Sequence, residues 1–178
     1  MLGILKKRIS TDKLSNVYVN SIIQLVEDGF PDVAALINDS PEFIIRPNIS
    51  NTDSDKFLLI IIAGNIKFIP GHLDTYHEMR FNKLIMHKFA HALGLDIEIF
   101  KTVLNNHYKL FNIINSPSKN VLYAMSKSVF YKYNLAGFQE EYFRKIKSPN
   151  PIFMKRLNEV MRNFLWDWII TEQYRLVQ

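Results

Sequence analysis

Cysteine is absent from these 178 residues. Its absence excludes disulfide scaffolds, thiol nucleophiles and cysteine-ligated zinc or iron–sulfur centres, and it fits a reducing compartment. Long apolar runs are absent as well. The longest aliphatic run, Leu58 to Ala63, is far short of the roughly 18–20 residues that span a bilayer. The opening MLGILKKRIS places a short apolar stretch ahead of its basic cluster, the reverse order of a secretory signal. The expectation is a soluble, cytoplasmic chain with no membrane span. Glycine is scarce, and Gly3, Gly29, Gly64, Gly71, Gly94 and Gly137 are scattered. That leaves no phosphate-cradling Walker loop and no GxSxG nucleophile elbow. No RNP signature, GXXG clamp or zinc finger is present either. With no internal repeat, low-complexity tract or long linker, one domain over residues 1–178 is expected.

What is present is an ordinary globular composition, 48% hydrophobic and 22% charged, with ample length for a core. The net charge of +5 is unevenly spread. Residues 1–118 hold 12 Lys+Arg against 12 Asp+Glu, and residues 119–178 hold 10 against 5. The C-terminal third therefore carries the whole excess, together with 12 of the 23 aromatic residues. Such a region suits an anionic partner or a solvated lysine shell around an aromatic core.

Periodicity predicts a mostly helical α+β protein with about six helices. A first helix is expected from Asp12 to Asp28, capped by Ser10 or Thr11 and stopped by Gly29, with a short helix after Pro31. The continuous Leu58–Ile62 run reads as a buried strand and Gly64-Asn65 as a hairpin turn, so residues 42–70 should hold an antiparallel β-hairpin or three-stranded sheet. Thr75 with Glu78 forms a capping-box pattern for a helix ending near Leu93 and Gly94. Asp96 caps the next helix. Ser116-Pro117 opens another, and a shorter one covers Ala136 to Ile146. The last helix takes Asn150 as cap and Pro151 as first residue, with its stripe running from Phe153 to Trp168.

His87 and His91 lie four apart on a predicted helix, about 40° around its axis, so both can face one metal ion. The string from His87 to Asp96, HKFAHALGLD, resembles the active-site helix of the zincin metalloproteases, in particular the metzincin form HExxHxxGxxH. The resemblance implies zinc held by His87 and His91, with Gly94 turning the chain toward a third ligand. Lys88 stands where the family has its glutamate base, and Ile97 stands where it has its third histidine. What the resemblance implies is thus a metal-binding, inactive metalloprotease-like protein. His72, Asp74, His77 and Glu78 are the third-ligand candidates. His77 is about 21 Å from His91 along a continuous helix, which favours His72.

The second constellation is the run Tyr142, Phe143, Arg144, Lys145, Ile146, Lys147. It interleaves aromatics and cations as nucleic-acid and acidic-partner surfaces do. On the last predicted helix Trp166 sits about 200° from Trp168, beside Arg162. A tryptophan among charges suits an interface anchor.

These features together point to a non-catalytic interaction protein that uses its basic, aromatic C-terminal helices. Its expected partner-binding residues are Arg144, Lys145, Lys147, Arg162 and Trp166, and its partner a protein or a second copy. Two alternatives stand beside this reading: a metal-binding, zincin-like protein centred on His87, His91 and His72, and nucleic-acid binding through the C-terminal third. No catalytic residue is assigned. No cofactor is expected on the first reading, and zinc on the second.

Overall fold

The computed structural model describes residues 7–116 and 118–177. The apolar opening Met1–Leu5 and Pro117 itself lie outside the described residues; the helix expected to open at Ser116-Pro117 begins instead at Val121, where Asn120 caps it through Tyr123 N at 3.0 Å. The protein is mostly helical with one small sheet of two strands. In chain order come β1 (Lys7–Ser10), α1 (Thr11–Asn38), α2 (Asp55–Lys67), α3 (Thr75–Ala92), α4 (Ile97–Ile114) and α5 (Val121–Lys132). They are followed by α6 (Glu141–Lys145), α7 (Pro151–Met161), α8 (Ile169–Glu172) and β2 (Tyr174–Val177). Two 3-10 turns, Leu135–Phe138 and Arg162–Phe164, flank α6 and α7.

The sheet is not where the sequence places it, and it is not antiparallel. β1 and β2 pair in parallel, Lys7 opposite Tyr174 and Ser10 opposite Val177. The Leu58–Ile62 run lies inside α2 instead. A short apolar run fits a buried helix as well as a buried strand, because periodicity cannot separate the two. Here Phe57, Ile60, Ile61, Ile62, Ala63, Gly64 and Asn65 are all buried. A helix apolar on every side must be surrounded, and α2 is packed against α1, α4 and α5.

Other helix boundaries differ as well. α1 runs unbroken through Gly29 and Pro31, because its inner face continues across them as Val26, Phe30, Val33, Ala34 and Ile37. Gly29 is a point of close approach: an added Cβ would stand 2.8 Å from the Phe164 ring. The stretch expected as one helix over 136–146 is a 3-10 turn followed by the five-residue α6. α7 ends at Met161, so Trp166 and Trp168 leave the helix on an irregular segment.

Other starts and stops follow the local chemistry. Ser10 caps α1 through Lys13 N at 3.2 Å. Asp96 caps α4 and Asn150 caps α7, with Pro151 as the first helical residue. Gly94 takes the left-handed conformation that ends α3. The cap of α3 itself is Asp74, one residue before the expected Thr75.

A buried clasp fixes the segment after α7. Asn65, buried in α2, donates from Nδ2 to the Phe164 carbonyl at 2.8 Å and to the Ile61 carbonyl at 2.9 Å. Its Oδ1 accepts from the Trp166 amide at 2.7 Å. One side chain thus satisfies two backbone groups of a chain turn that no helix or strand supplies.

Candidate functional site

The structure separates the histidines. His87 and His91 are exposed on α3, beside a surface cavity of about 270 Å³ that Asn16 and Asn20 of α1 also line. Lys88, at the position of the zincin base, reaches across to α1. Its Nζ lies 2.8 Å from Asp12 Oδ1 and 2.5 Å from Asn16 Oδ1. This lysine ties two helices together and places an ammonium beside the histidine pair. His72 is elsewhere, stacked on Trp168 with ring centroids 4.6 Å apart and planes at 7°. His91 is about 24 Å along α3 from Thr75, three residues after His72. Asp74 and His77 are engaged with each other at 2.6 Å. The two hydrogen bonds from His77, backbone first, hold the Asp74 carboxyl below its usual range. Among the described residues no three His, Asp or Glu side chains gather as a metal-binding group. α2 rather than a strand leads into α3, so the zincin likeness stays confined to its ten-residue string.

Trp166 is half-buried within the chain. Its ring meets Tyr18 of α1 edge-on at 5.2 Å, and Trp168 at 6.5 Å. Arg162 is exposed on the 3-10 turn that follows α7. It stands about 18 Å along that helix from Asn150, so Arg162 and Trp166 lie at the far end from the remaining sequence-predicted residues.

Those remaining residues, Arg144, Lys145 and Lys147, lie on or just after α6. Gln139, fully buried, is the organising side chain. Its backbone bridges to Phe43, and the neighbouring Phe138 carbonyl accepts from Ile44 N at 2.8 Å. Its Nε2 donates to the Ser148 carbonyl at 3.2 Å, and its Oε1 accepts from Asn150 N at 2.6 Å. Three segments are thereby knitted at one end of the molecule: the loop after α1, the α6 region, and the start of α7. A second tie runs from Arg156 to Glu42 at 2.9 Å. Burial opposes the charge on Glu42. Hydrogen bonds from Ser40 and its own backbone, together with the Arg156 guanidinium, still hold its carboxyl below the usual range.

What this frame presents is apolar with an excess of cations, although Glu140 and Glu141 are exposed on it too. Tyr142 is 65% exposed, Ile152 62%, Ile44 and Ile45 57% each, and Ile146 51%. Arg144, Lys145, Lys147 and Lys155 are exposed among them. Lys145 is paired with Glu141 at 2.7 Å. Among the described residues Arg144, Lys147 and Lys155 pair with no carboxylate.

Lys147 has a further peculiarity. Of the described residues with positive φ, Gly71, Gly94, Asn48 and Asn134 are of the types that tolerate it; Lys147, at φ 52°, is not. It ends α6, where glycine is the usual choice. Strain of this kind is concentrated at functional sites.

Sequence reasoning missed Ile44, Ile45 and Gln139. The isoleucines fall in a stretch that reads only as extended, within the sheet expected over residues 42–70, and nothing local marks Gln139, whose role depends on partners far along the chain. No protein-family model, curated protein or solved structure matches this chain.

Proposed function

We propose that this chain is a non-catalytic binding protein. It recognises an acidic protein segment bearing apolar side chains, through the surface built by Ile44, Ile45, α6 and the start of α7. The observation that supports this reading is the coincidence of five exposed, large apolar residues with Arg144, Lys147 and Lys155, which pair with no carboxylate among the described residues, on a frame fixed by one buried glutamine. Exposed apolar clusters rimmed by charge mark interaction sites. The sign of the rim selects an acidic partner and steers its approach. The aromatic and aliphatic anchors, Tyr142 and Ile146, provide the contact area, and Arg144 and Lys147 the charge selection.

Fluorescence anisotropy tests the reading with a short labelled peptide rich in glutamate with spaced leucines. Binding is expected to weaken by about tenfold in a variant carrying Arg144→Glu and Lys147→Glu. It is also expected to weaken when salt is raised. A glutamate peptide without leucines should bind less tightly, because Tyr142 and Ile146 then gain nothing. Equal binding by the charge-reversed variant would sink the proposal. Tighter binding of a poly-uridine oligonucleotide than of the peptide would transfer this surface to nucleic acid.

A further inference from the structure

The sheet ends after two strands. β1 and β2 bond to each other and, among the described residues, to no third strand. We propose that the outer edge of β2 takes up an extended acidic segment of a protein partner as a third strand, one that alternates carboxylate and aliphatic side chains.

The backbone comes first. A sheet of two strands is marginal in water. In a parallel pair only alternate residues turn their N–H and C=O toward the neighbouring strand, and the others turn them outward. On β1 the outward side is occupied: the strand runs straight into α1, packs against that helix and buries Ile9. β2 differs. It packs against β1 and α8, and none of its four residues is fully buried. Among the described residues no other backbone segment bonds to Tyr174–Val177. Such an edge is a template for strand addition.

The charge on this edge selects the occupant. Ile9 is buried, and its register partner Leu176 packs on the core. The pleat therefore puts the adjacent register pair, Arg8 and Arg175, on the opposite face, and both are exposed. Neighbouring strands stand about 4.8 Å apart, so two guanidinium stems leave the sheet side by side. Like charges directly opposite destabilise a sheet. Neither arginine pairs with a carboxylate among the described residues. Glu172, exposed at the end of α8, pairs with neither of them. A carboxylate on a third strand, in register with Arg175, would offset this repulsion and accept from the guanidinium. A second copy of this chain would instead bring another Arg8–Arg175 pair to the edge, so charge disfavours it.

The other face of β2 sets the alternation. Tyr174 and Leu176 are half-buried and lean on the core. Aliphatic residues on either side of the partner's carboxylate would fall on that face and extend the apolar layer. The fitting segment is thus apolar–acidic–apolar with a period of two.

Fluorescence anisotropy of the full chain at low salt tests this with a labelled peptide of strictly alternating valine and glutamate, a pattern that favours an extended strand. A dissociation constant of about 100 µM or tighter is expected. A peptide of the same composition with its valines and glutamates grouped, and one alternating valine and lysine, should each bind at least about tenfold more weakly. Arg175→Glu should weaken the alternating peptide by about tenfold. The same change places opposite charges in register, so its melting temperature should be no lower than that of the unaltered chain. Bound peptide should also slow hydrogen exchange at amides within Tyr174–Val177, which a contact made by side chains alone would not do. No binding at about 1 mM protein, equal binding of the grouped peptide, no effect of Arg175→Glu, or unchanged exchange at β2 would each overturn the proposal. The Arg144→Glu, Lys147→Glu variant should bind this peptide as the unaltered chain does. Loss of binding there would assign the peptide to the α6 surface and overturn the β2 site, whereas failure at β2 alone leaves the α6 reading standing.

Discussion

At Gly64 a Cβ would overlap the side chain of Met125, which is fully buried where α2 meets α5. Gly64→Ala gains about 1 kcal/mol in helix propensity. The overlap with a packed thioether costs more, since overpacking a core costs about 1–3 kcal/mol. A net loss in the urea midpoint is expected, and it should shrink in a Met125→Ala background, where the space is open; equal losses in both backgrounds would mean that the contact is not the cause. The next residue, Asn65, gives a larger expected effect. Asn65→Ala strands the Phe164 carbonyl and the Trp166 amide. Each buried orphan costs about 1–3 kcal/mol, so equilibrium unfolding should show a loss of at least about 2 kcal/mol. His107 makes stability depend on pH. It is buried in α4 and bonded through Nδ1 to the Val103 carbonyl at 2.9 Å. Burial, reinforced by Lys132, lowers its pKa from 6.5 despite that bond. The unfolded chain therefore takes up a proton first as pH falls. This contribution is complete above pH 6.5, declines below it, and is lost once pH passes the folded value. A His107→Leu variant should show a flatter pH dependence of the melting temperature just below 6.5. His107 lies three residues after Leu104 and four before Phe111, so helical spacing alone puts it on the buried face of α4. The roles of Gly64 and Asn65 were not legible in the sequence, because a Gly-Asn pair signals a hairpin turn by local chemistry alone. Only the neighbours Met125 and Phe164, distant in the chain, reveal their use.

Helix α1 tolerates a proline twenty residues in because its inner face is buried across the break. Pro31 is exposed and lies between Phe30 and Val33, both fully buried. An interior proline costs a helix about 3 kcal/mol, against which about 1 kcal/mol of unfolded-chain entropy is recovered. Pro31→Ala should therefore raise unfolding stability by about 2 kcal/mol, read from the urea midpoint; a fall would show that the proline is matched to a bend the helix needs. The same logic explains which element boundaries were readable. Capped starts at Ser10, Asp96 and Asn150 and the left-handed stop at Gly94 depend on adjacent residues, and they stand where local chemistry puts them. Stops inferred from Gly29, and the strand inferred from Leu58–Ile62, were overruled by tertiary burial. α6 shows a cost accepted at its end. Lys147→Gly should relieve left-handed strain and raise stability by about 1 kcal/mol. On the proposed function the same change weakens the acidic peptide, so stability and binding move in opposite directions. A variant that gains stability and binds equally well would remove Lys147 from the site.

Over the whole molecule, the charge asymmetry was readable and its consequence was partly readable. The basic C-terminal third was evident from composition, and Arg144, Lys145 and Lys147 are each exposed, on or just after α6. Arg162 and Trp166 were grouped with them on a helix that the chain does not continue. The apolar half of the surface, Ile44 and Ile45, comes from a loop roughly a hundred residues earlier, brought in by the Phe43–Gln139 bridge; no sequence window spans that distance. The two-stranded sheet has the same origin, since β1 and β2 come from opposite ends of the described chain. No described helix is long and apolar enough to cross a membrane.

The most direct test of the account is an amide chemical-shift titration with the glutamate–leucine peptide at low salt. The account predicts saturable shifts confined to Ile44–Arg46, Tyr142–Lys147 and Ile152–Lys155, and their loss in the Arg144→Glu, Lys147→Glu variant. Shifts centred on Arg162 and Trp166, or none that saturate, would contradict it.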